Sequence, residues 1–316
     1  MAFLKKGLKV AVLMGGFSSE REISLKSGQA VIKAIEKLGY TPITFDVNEN
    51  IAKELTTQEV EVAFIALHGR FGEDGNIQRI LEDLNIPYVG SGVKASAFAI
   101  DKIKSKEVFI KNNILTPPFV QLNSKPTHDL VNLNKLSLPW VVKPAREGST
   151  IGISIVEERD GFLPAYELAK KYDHDILVEE YIKGREFTVG VIGGKELTPL
   201  PVIEILSKNK FYDFEAKYTK GLTEFKIPAI LAEDVYTKAQ KLACQVHQSL
   251  GCYGMSRVDM ICSQDNQLYI LEVNTIPGLT ELSLLPKAAA FIDMSFEDLI
   301  DTLLSYAFER ERDASK

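Results

Sequence analysis

The chain of 316 residues is poor in cysteine, with only Cys244, Cys252 and Cys262. An odd number without a Cys-x-x-Cys pair excludes a disulfide framework and a structural zinc site. The three read as small buried hydrophobes in a reducing compartment. Long apolar runs are also missing. The stretch Val10 to Met14 is ended by Gly15-Gly16, too soon for a signal-peptide core. Nothing approaches the ~20 apolar residues of a membrane span, so the chain reads as cytoplasmic with no membrane partner. Positive excess is absent too: the net charge of −6 argues against nucleic acid as a general partner. There is no Gly-Lys-Ser/Thr phosphate loop of the Walker type, no internal repeat and no low-complexity tract.

What is present is the balance of a globular enzyme, 45% hydrophobic and 25% charged, long enough for two or three domains. Strands are expected at 9–14, 41–47 and 60–67, and a helix presents Ala30, Val31, Ala34, Ile35 and Leu38 on one face. That alternation implies a parallel sheet with right-handed crossovers and an α/β domain over 1–97. A helix over 95–112 ends before Thr116-Pro117-Pro118. Strands at 140–143, 151–157, 176–181 and 186–192 then suggest a small antiparallel unit over 98–182. The remainder, 183–316, carries strands near 199–205, 255–262 and 267–273 and helices near 233–250 and 295–309. The polar stretch Ser207–Lys226 has no apolar period, as expected of a functional loop.

The pattern at 256–274 predicts a hairpin. A turn on Asp265-Asn266 sets Arg257 opposite Asn274 and Asp259 opposite Glu272, all on one face. The other face then pairs Val258 with Val273, Met260 with Leu271 and Cys262 with Tyr269. Two carboxylates directly across a strand pair repel, and partial burial raises the cost. A hard divalent cation relieves both, and magnesium takes one or two carboxylates plus substrate phosphates. Asp259, Glu272 and Asn274 are therefore candidate metal ligands; a solvated face with a shared proton is the alternative.

Two glycine loops follow strands. Lys143 ends one strand and Arg146-Glu147-Gly148-Ser149-Thr150-Ile151-Gly152 follows it. Such a loop can fold over phosphates as a flap, with Lys143 as a point charge, although an ordinary hairpin looks similar. Gly15-Gly16-Phe17-Ser18-Ser19-Glu20-Arg21-Glu22 contains a possible capping box, Ser19 with Glu22. It leaves Glu20 at the carboxyl end of the sheet, where ligands bind in open α/β folds. His68 occupies a like position in His68-Gly69-Arg70-Phe71-Gly72-Glu73-Asp74-Gly75.

The ordered set GGFSSEREISLKSG, HGRFGEDGNIQ, DKIKSK, VVKPAREGSTIG, VEEYIKGREFTV, FYDFEAKY, SRVDMI and LEVNTIPGLTELSLLP resembles the D-alanine–D-alanine ligase family of the ATP-grasp superfamily. The resemblance implies an α/β fold of ATP-grasp type. It would have an N-terminal parallel-sheet domain, a small central antiparallel domain and a C-terminal α+β domain. It implies that Lys102 and Lys143 meet ATP phosphates, with Gly148, Ser149 and Lys217 also at the nucleotide. Glu179, Glu180, Tyr181 and Ile182 would line the adenine and Glu186 would hold the ribose. Asp259, Glu272 and Asn274 match the family's ligands for two magnesium ions, for which manganese can substitute. Glu20 looks like the anchor of the first D-alanine's ammonium, with His68 nearby. Arg257 and the Gly278 N–H resemble an oxyanion site, and Ser283 and Leu284 a clamp on the second D-alanine's carboxylate. Ser149 and Tyr218 look like partners of Glu20 in closing a lid over 207–226. Arg79 and Glu281 stand where the family more often has glycine and histidine.

These features predict ligation of two D-alanines through an acyl-phosphate, for peptidoglycan precursor synthesis, by a cytoplasmic homodimer. A D-lactate ligase and a nucleotide-binding regulator without catalysis remain alternatives. Tyr218 weighs against the first and the complete set Arg257, Asp259, Glu272 and Asn274 against the second.

Overall fold

A computed structural model describes residues 4–122, 133–148, 151–207 and 223–310. The apolar run Lys9–Met14 forms strand β1. It pairs in parallel with β2 (Thr41–Asp46) and β3 (Val62–Ile65) in the order β2-β1-β3. Helix α1 (Arg21–Lys37) crosses between β1 and β2 and buries Val31, Ala34 and Ile35. Helices α2 (Ile51–Thr57), α3 (Asn76–Asp83) and α4 (Val93–Ile100) complete this part.

The helix expected over 95–112 is two helices. α4 stops at Ile100 and α5 runs Lys102–Lys111. Asp101 breaks them: it is extended, and its carboxylate accepts from the Ile103 and Lys104 N–H groups as the N-cap of α5. The interruption turns Lys102 into the cavity described below.

A four-stranded antiparallel sheet follows, ordered β4-β7-β5-β6, from Phe119–Leu122, Trp140–Pro144, Ser154–Val156 and Ile176–Glu180 in chain order, with α6 (Phe162–Lys170) packed on it. The strand expected from 151 begins only at Ser154. The last sheet runs β11-β10-β8-β12-β13 with β9 beside β8. Its strands are β8 (Gly184–Gly193), β9 (Leu197–Pro199), β10 (Ile203–Ser207), β11 (Thr223–Lys226), β12 (Gly254–Ser263) and β13 (Leu268–Asn274). Helices α7 (Glu233–Leu250), α8 (Leu284–Phe291) and α9 (Phe296–Glu309) finish the chain. The single strand expected near 199–205 is therefore β9 and β10. Among the described residues no helix is long and apolar enough to cross a membrane.

α9 packs against α1, where Lys37 pairs with Glu297 and the Tyr40 hydroxyl donates to Asp301, both at 2.6 Å. Leu299, Leu303 and Leu304 of α9 share one core with Val10, Val12 and Phe64 of the first sheet.

The hairpin keeps the expected register only at its far end. Arg257 faces Asn274, Val258 faces Val273 and Asp259 faces Glu272. A bulge after Asp259 then moves Met260 opposite Ile270 and Cys262 opposite Leu268, not Leu271 and Tyr269. The extra residue lets Leu268, Ile270 and Val273 all be buried. It also turns the Ile270 N–H to the Leu115 carbonyl at 2.9 Å.

Candidate active site

A cavity of about 380 Å³ opens where the first and last sheets meet. Its walls include Glu20, His68, Lys102, Gly148, Arg257, Glu272, Asn274, Gly278, Ser283 and Leu284, ten of the residues expected at the site. Lys143, Glu179, Glu180, Tyr181, Ile182, Glu186 and Asp259 do not line it. Ser149, Lys217 and Tyr218, with most of the expected lid, lie outside the described residues.

Glu20 reaches the cavity from the turn before α1. The expected capping box does not form. Glu20 itself occupies the cap position without a side-chain cap bond. Ser18, not Ser19, organises the turn: its hydroxyl accepts from the Glu20 N–H at 3.1 Å and donates to the His68 carbonyl at 2.6 Å. The Gly15 and His68 loops are thereby tied together. Arg21 points away and forms a two-pronged pair with Asp46, 2.6 Å on each arm. Gly148 packs on Glu20 so closely that a Cβ there would come within 3.2 Å of its Oε2.

His68 is buried, its Nε2 3.0 Å from the Ser27 hydroxyl. Burial pushes its pKa down to about 4, with the nearby Arg257 cation adding to the effect against the Ile276 backbone. It is neutral at neutral pH. His247, behind β12, is likewise pushed down to about 4 by burial. An unfolded imidazole titrates near 6.5, so each unfolded histidine binds a proton the folded one refuses. Stability is therefore full above pH 6.5 and is lost as pH falls toward 4. The expected cost is about 2 kcal/mol per histidine by pH 5. Urea unfolding at pH 7 and pH 5 measures it, and His247→Gln should remove about half of the difference. Equal stability at both pH values would show that these rings are charged in the folded protein.

The sequence reading overlooked Glu73, which lines the same wall. Its Oε2 accepts from the Gly69 N–H at 2.7 Å. Burial raises its pKa well above the carboxylate range, and the charge of Glu20 raises it further. Its only sequence signal was an acid inside a glycine-rich loop. Glu147 was overlooked too. Its carbonyl accepts from Lys102 Nζ at 2.7 Å, and its carboxylate lies 3.7 Å from Arg70.

On the opposite wall Arg257 grips Asp259 with two bonds, Nε to Oδ1 at 2.9 Å and Nη2 to Oδ2 at 2.7 Å. The Thr188 hydroxyl adds a third at 2.5 Å. Lys102 Nζ stands 3.3 Å from Glu272 Oε2, and Asn274 Oδ1 accepts from the Ile276 N–H at 2.9 Å. The cross-strand acids thus each have a cationic partner, which moderates the repulsion read from the sequence. Two carboxylates and one amide oxygen, with no sulfur or imidazole among them, suit a hard cation. The described residues hold no cluster of three or more His, Cys, Asp or Glu arranged for a metal, so the set rests on Glu272 and Asp259 with Asn274.

Gly278 packs against Ser283: a Cβ there would lie 2.8 Å from the Ser283 hydroxyl. Ser283 is the N-cap residue of α8, its hydroxyl accepts from the Thr280 N–H at 3.2 Å, and Ser283 and Leu284 both line the cavity. Away from this cavity, Lys143 is paired with Glu179 at 2.6 Å beneath the second sheet. Glu180 accepts from the Ser137 N–H at 2.7 Å, and the Tyr181 N–H donates to the Pro139 carbonyl at 2.8 Å.

A parallel sheet, a small antiparallel sheet and a larger antiparallel sheet carrying paired acids define an ATP-grasp fold. Family models described as the N-terminus and the C-terminus of D-ala D-ala ligase match residues 46–91 and 109–305, and the chain belongs to that family. It is 47% identical over 302 residues to the D-alanine–D-alanine ligase of Geotalea uraniireducens, covering 96% of each chain. The crystal structure of D-alanine–D-alanine ligase from Bacillus anthracis complexed with ATP superposes with a TM-score of 0.85 at 31% identity, covering 96% of this chain and 98% of that one. The VanG D-Ala:D-Ser ligase of Enterococcus faecalis gives 0.83 at 30%, covering 96% and 100%.

Proposed function

We propose that the protein joins two molecules of D-alanine at the expense of ATP, through an acyl-phosphate, in peptidoglycan precursor synthesis. The observation that carries the reading is that one cavity brings the acids of the N-terminal glycine loops against Arg257, Glu272 and the start of α8. The division is placed at 97 and 182: the gap between β7 and β8 supports the second boundary, whereas 97 falls within α4.

Glu20 draws the ammonium of the first D-alanine, and neutral His68 does not compete for it. The carboxylate of that D-alanine attacks the γ-phosphorus of ATP, and ADP leaves. Such transfers depend on positioning and charge neutralisation, here from Lys102 and Lys143. Glu272, Asp259 and Asn274 would hold magnesium or manganese, which neutralises phosphate charge when bound. The second D-alanine places its carboxylate at Ser283 and Leu284, where a helix N-terminus favours an anion. Its amine, after losing a proton, attacks the acyl carbon and expels phosphate. Arg257 and the Gly278 N–H face the oxyanion formed in that step. The strand end Glu179 to Ile182 takes the adenine and Glu186 the ribose. Gly148, Ser149, Lys217 and Tyr218 cover the reactants. A cytoplasmic homodimer is the working assembly.

The test is phosphate release from ATP with D-alanine, L-alanine, D-lactate and D-serine, offered singly and in pairs. The expected result is release with D-alanine and none with L-alanine, because with the first alanine's ammonium held at Glu20 and its carboxylate turned to ATP, inverting the α-carbon exchanges its methyl group and hydrogen. Equal release with either enantiomer would overturn the substrate assignment. A preference for D-alanine with D-serine or D-lactate would move the chain to the corresponding mixed ligases.

A further inference from the structure

Lys106 of α5 is fully buried, yet nothing in the mechanism above uses it. Its ammonium lies 2.5 Å from Oε1 of Glu179 and donates to the Thr116 hydroxyl, also at 2.5 Å. Thr116 donates onward to the carbonyl of Ile270, beside the hairpin bulge, at 2.8 Å. The Phe119 ring flanks the ammonium, 5.6 Å away. Lys143 holds the other oxygen of Glu179, Oε2, at 2.6 Å. The side chains of Lys106, Lys143 and Glu179 are 0%, 8% and 2% exposed.

The compartment therefore holds two ammonium groups around one carboxylate. A fold-holding ion pair needs only one of each, and a second buried cation adds desolvation and like-charge repulsion. Both costs are visible: burial and then the nearby Lys143 pull the Lys106 pKa down, to about 8, against the attraction of Glu179. Burial alone would raise Glu179, but Lys106 and Lys143 overcome it and hold the carboxyl below its ordinary range. The excess charge is thus maintained at a cost. Because each lysine has its own carboxylate oxygen, the negative charge is shared rather than spent on Lys143.

We propose that Lys106 is a positioning residue for the nucleotide: it occupies one oxygen of Glu179, so that Lys143 offers uncancelled positive charge to the triphosphate. Removing Lys106 leaves Lys143 and Glu179 as a neutral pair. The inference rests on the reading of Lys143 as a phosphate ligand, and K143M is the control for that reading.

Full-length K106M, K106R, E179Q, K106M/E179Q and K143M are compared by Michaelis constants for ATP and D-alanine, and by calorimetric binding of a non-hydrolysable ATP analogue. K106M should raise the KM for ATP about tenfold or more and leave that for D-alanine unchanged, since charge-assisted contacts to phosphate are strong. K106R, which keeps the charge, should stay within about threefold. In the E179Q background, where no carboxylate cancels Lys143, the K106M penalty should shrink to less than about threefold. An equal penalty in both backgrounds would overturn the proposal. So would a K106M chain with a lower Tm and an unchanged KM for ATP, or a K106R chain that loses nucleotide. Should K106M not fold, K106M/E179Q against E179Q alone still decides, because the double variant leaves no unpaired buried carboxylate. If K143M binds nucleotide normally, the phosphate reading of Lys143 has failed instead.

Discussion

Glu272→Gln is expected to reduce ligation by at least about a hundredfold, because several kcal/mol of charge stabilisation at the transferring phosphoryl group is lost with one anionic ligand. The substitution preserves shape and leaves the cross-strand partner Asp259 in its pair with Arg257. Lys102 loses a partner at 3.3 Å but keeps the Glu147 carbonyl at 2.7 Å. The side chain of Glu272 is 29% exposed, so the stability change should stay within about 1 kcal/mol. Turnover is measured by coupled ADP release over a range of magnesium and manganese concentrations, alongside Tm. Normal turnover at ordinary magnesium would remove Glu272 from the metal set. A large fall in Tm would mean that its bond to Lys102 holds the two parts together.

Arg257→Lys should lower kcat by about 10²–10³ with little change in the KM for ATP, the loss typical of one missing oxyanion donor. Lysine keeps the charge but cannot reproduce the two-pronged bond to Asp259. Arg257→Met should in addition destabilise the fold by about 3–5 kcal/mol, since it leaves a buried carboxylate without its cation. Adding Asp259→Asn to Arg257→Met should recover most of that stability and none of the activity. Chemical denaturation and single-turnover kinetics separate the two effects. If Arg257→Lys kept a normal kcat, Arg257 would be only the counter-ion of Asp259 and the oxyanion role would have to move elsewhere.

The parallel order of the first sheet and the facing of Asp259 and Glu272 were legible because alternation and apolar runs are local signals. The rest of the hairpin was not. The bulge after Asp259 answers to Leu115, which accepts the Ile270 N–H from more than a hundred residues upstream. Ser19 with Glu22 has the spacing of a capping box, but the turn is decided by the reach of Ser18 to the His68 carbonyl. Asp101 lies inside a helical apolar pattern, and its capping of α5 prevailed over that pattern. Lys106 illustrates the hardest case. A lysine on a helix ordinarily reads as solvated, and only the folded chain shows that it meets Glu179 and Thr116. Glu20 was legible beside a glycine turn, Arg257 on one face of the hairpin and Ser283 through the resemblance alone, and the structure gathers them in one cavity. Glu73 escaped because its significance lies in its nearness to Glu20, a tertiary fact.

The shared core of α9 and the first sheet bears on how the polypeptide comes off the ribosome. Chains generally fold N-terminal units first during synthesis. Here Val10, Val12 and Phe64 share their core with Leu299, Leu303 and Leu304, more than 200 positions later in translation. The nascent N-terminal sheet therefore stays partly uncovered until α9 has been synthesised. That makes it a natural client for a holding chaperone, and it makes premature termination before α9 costly for the segment made first.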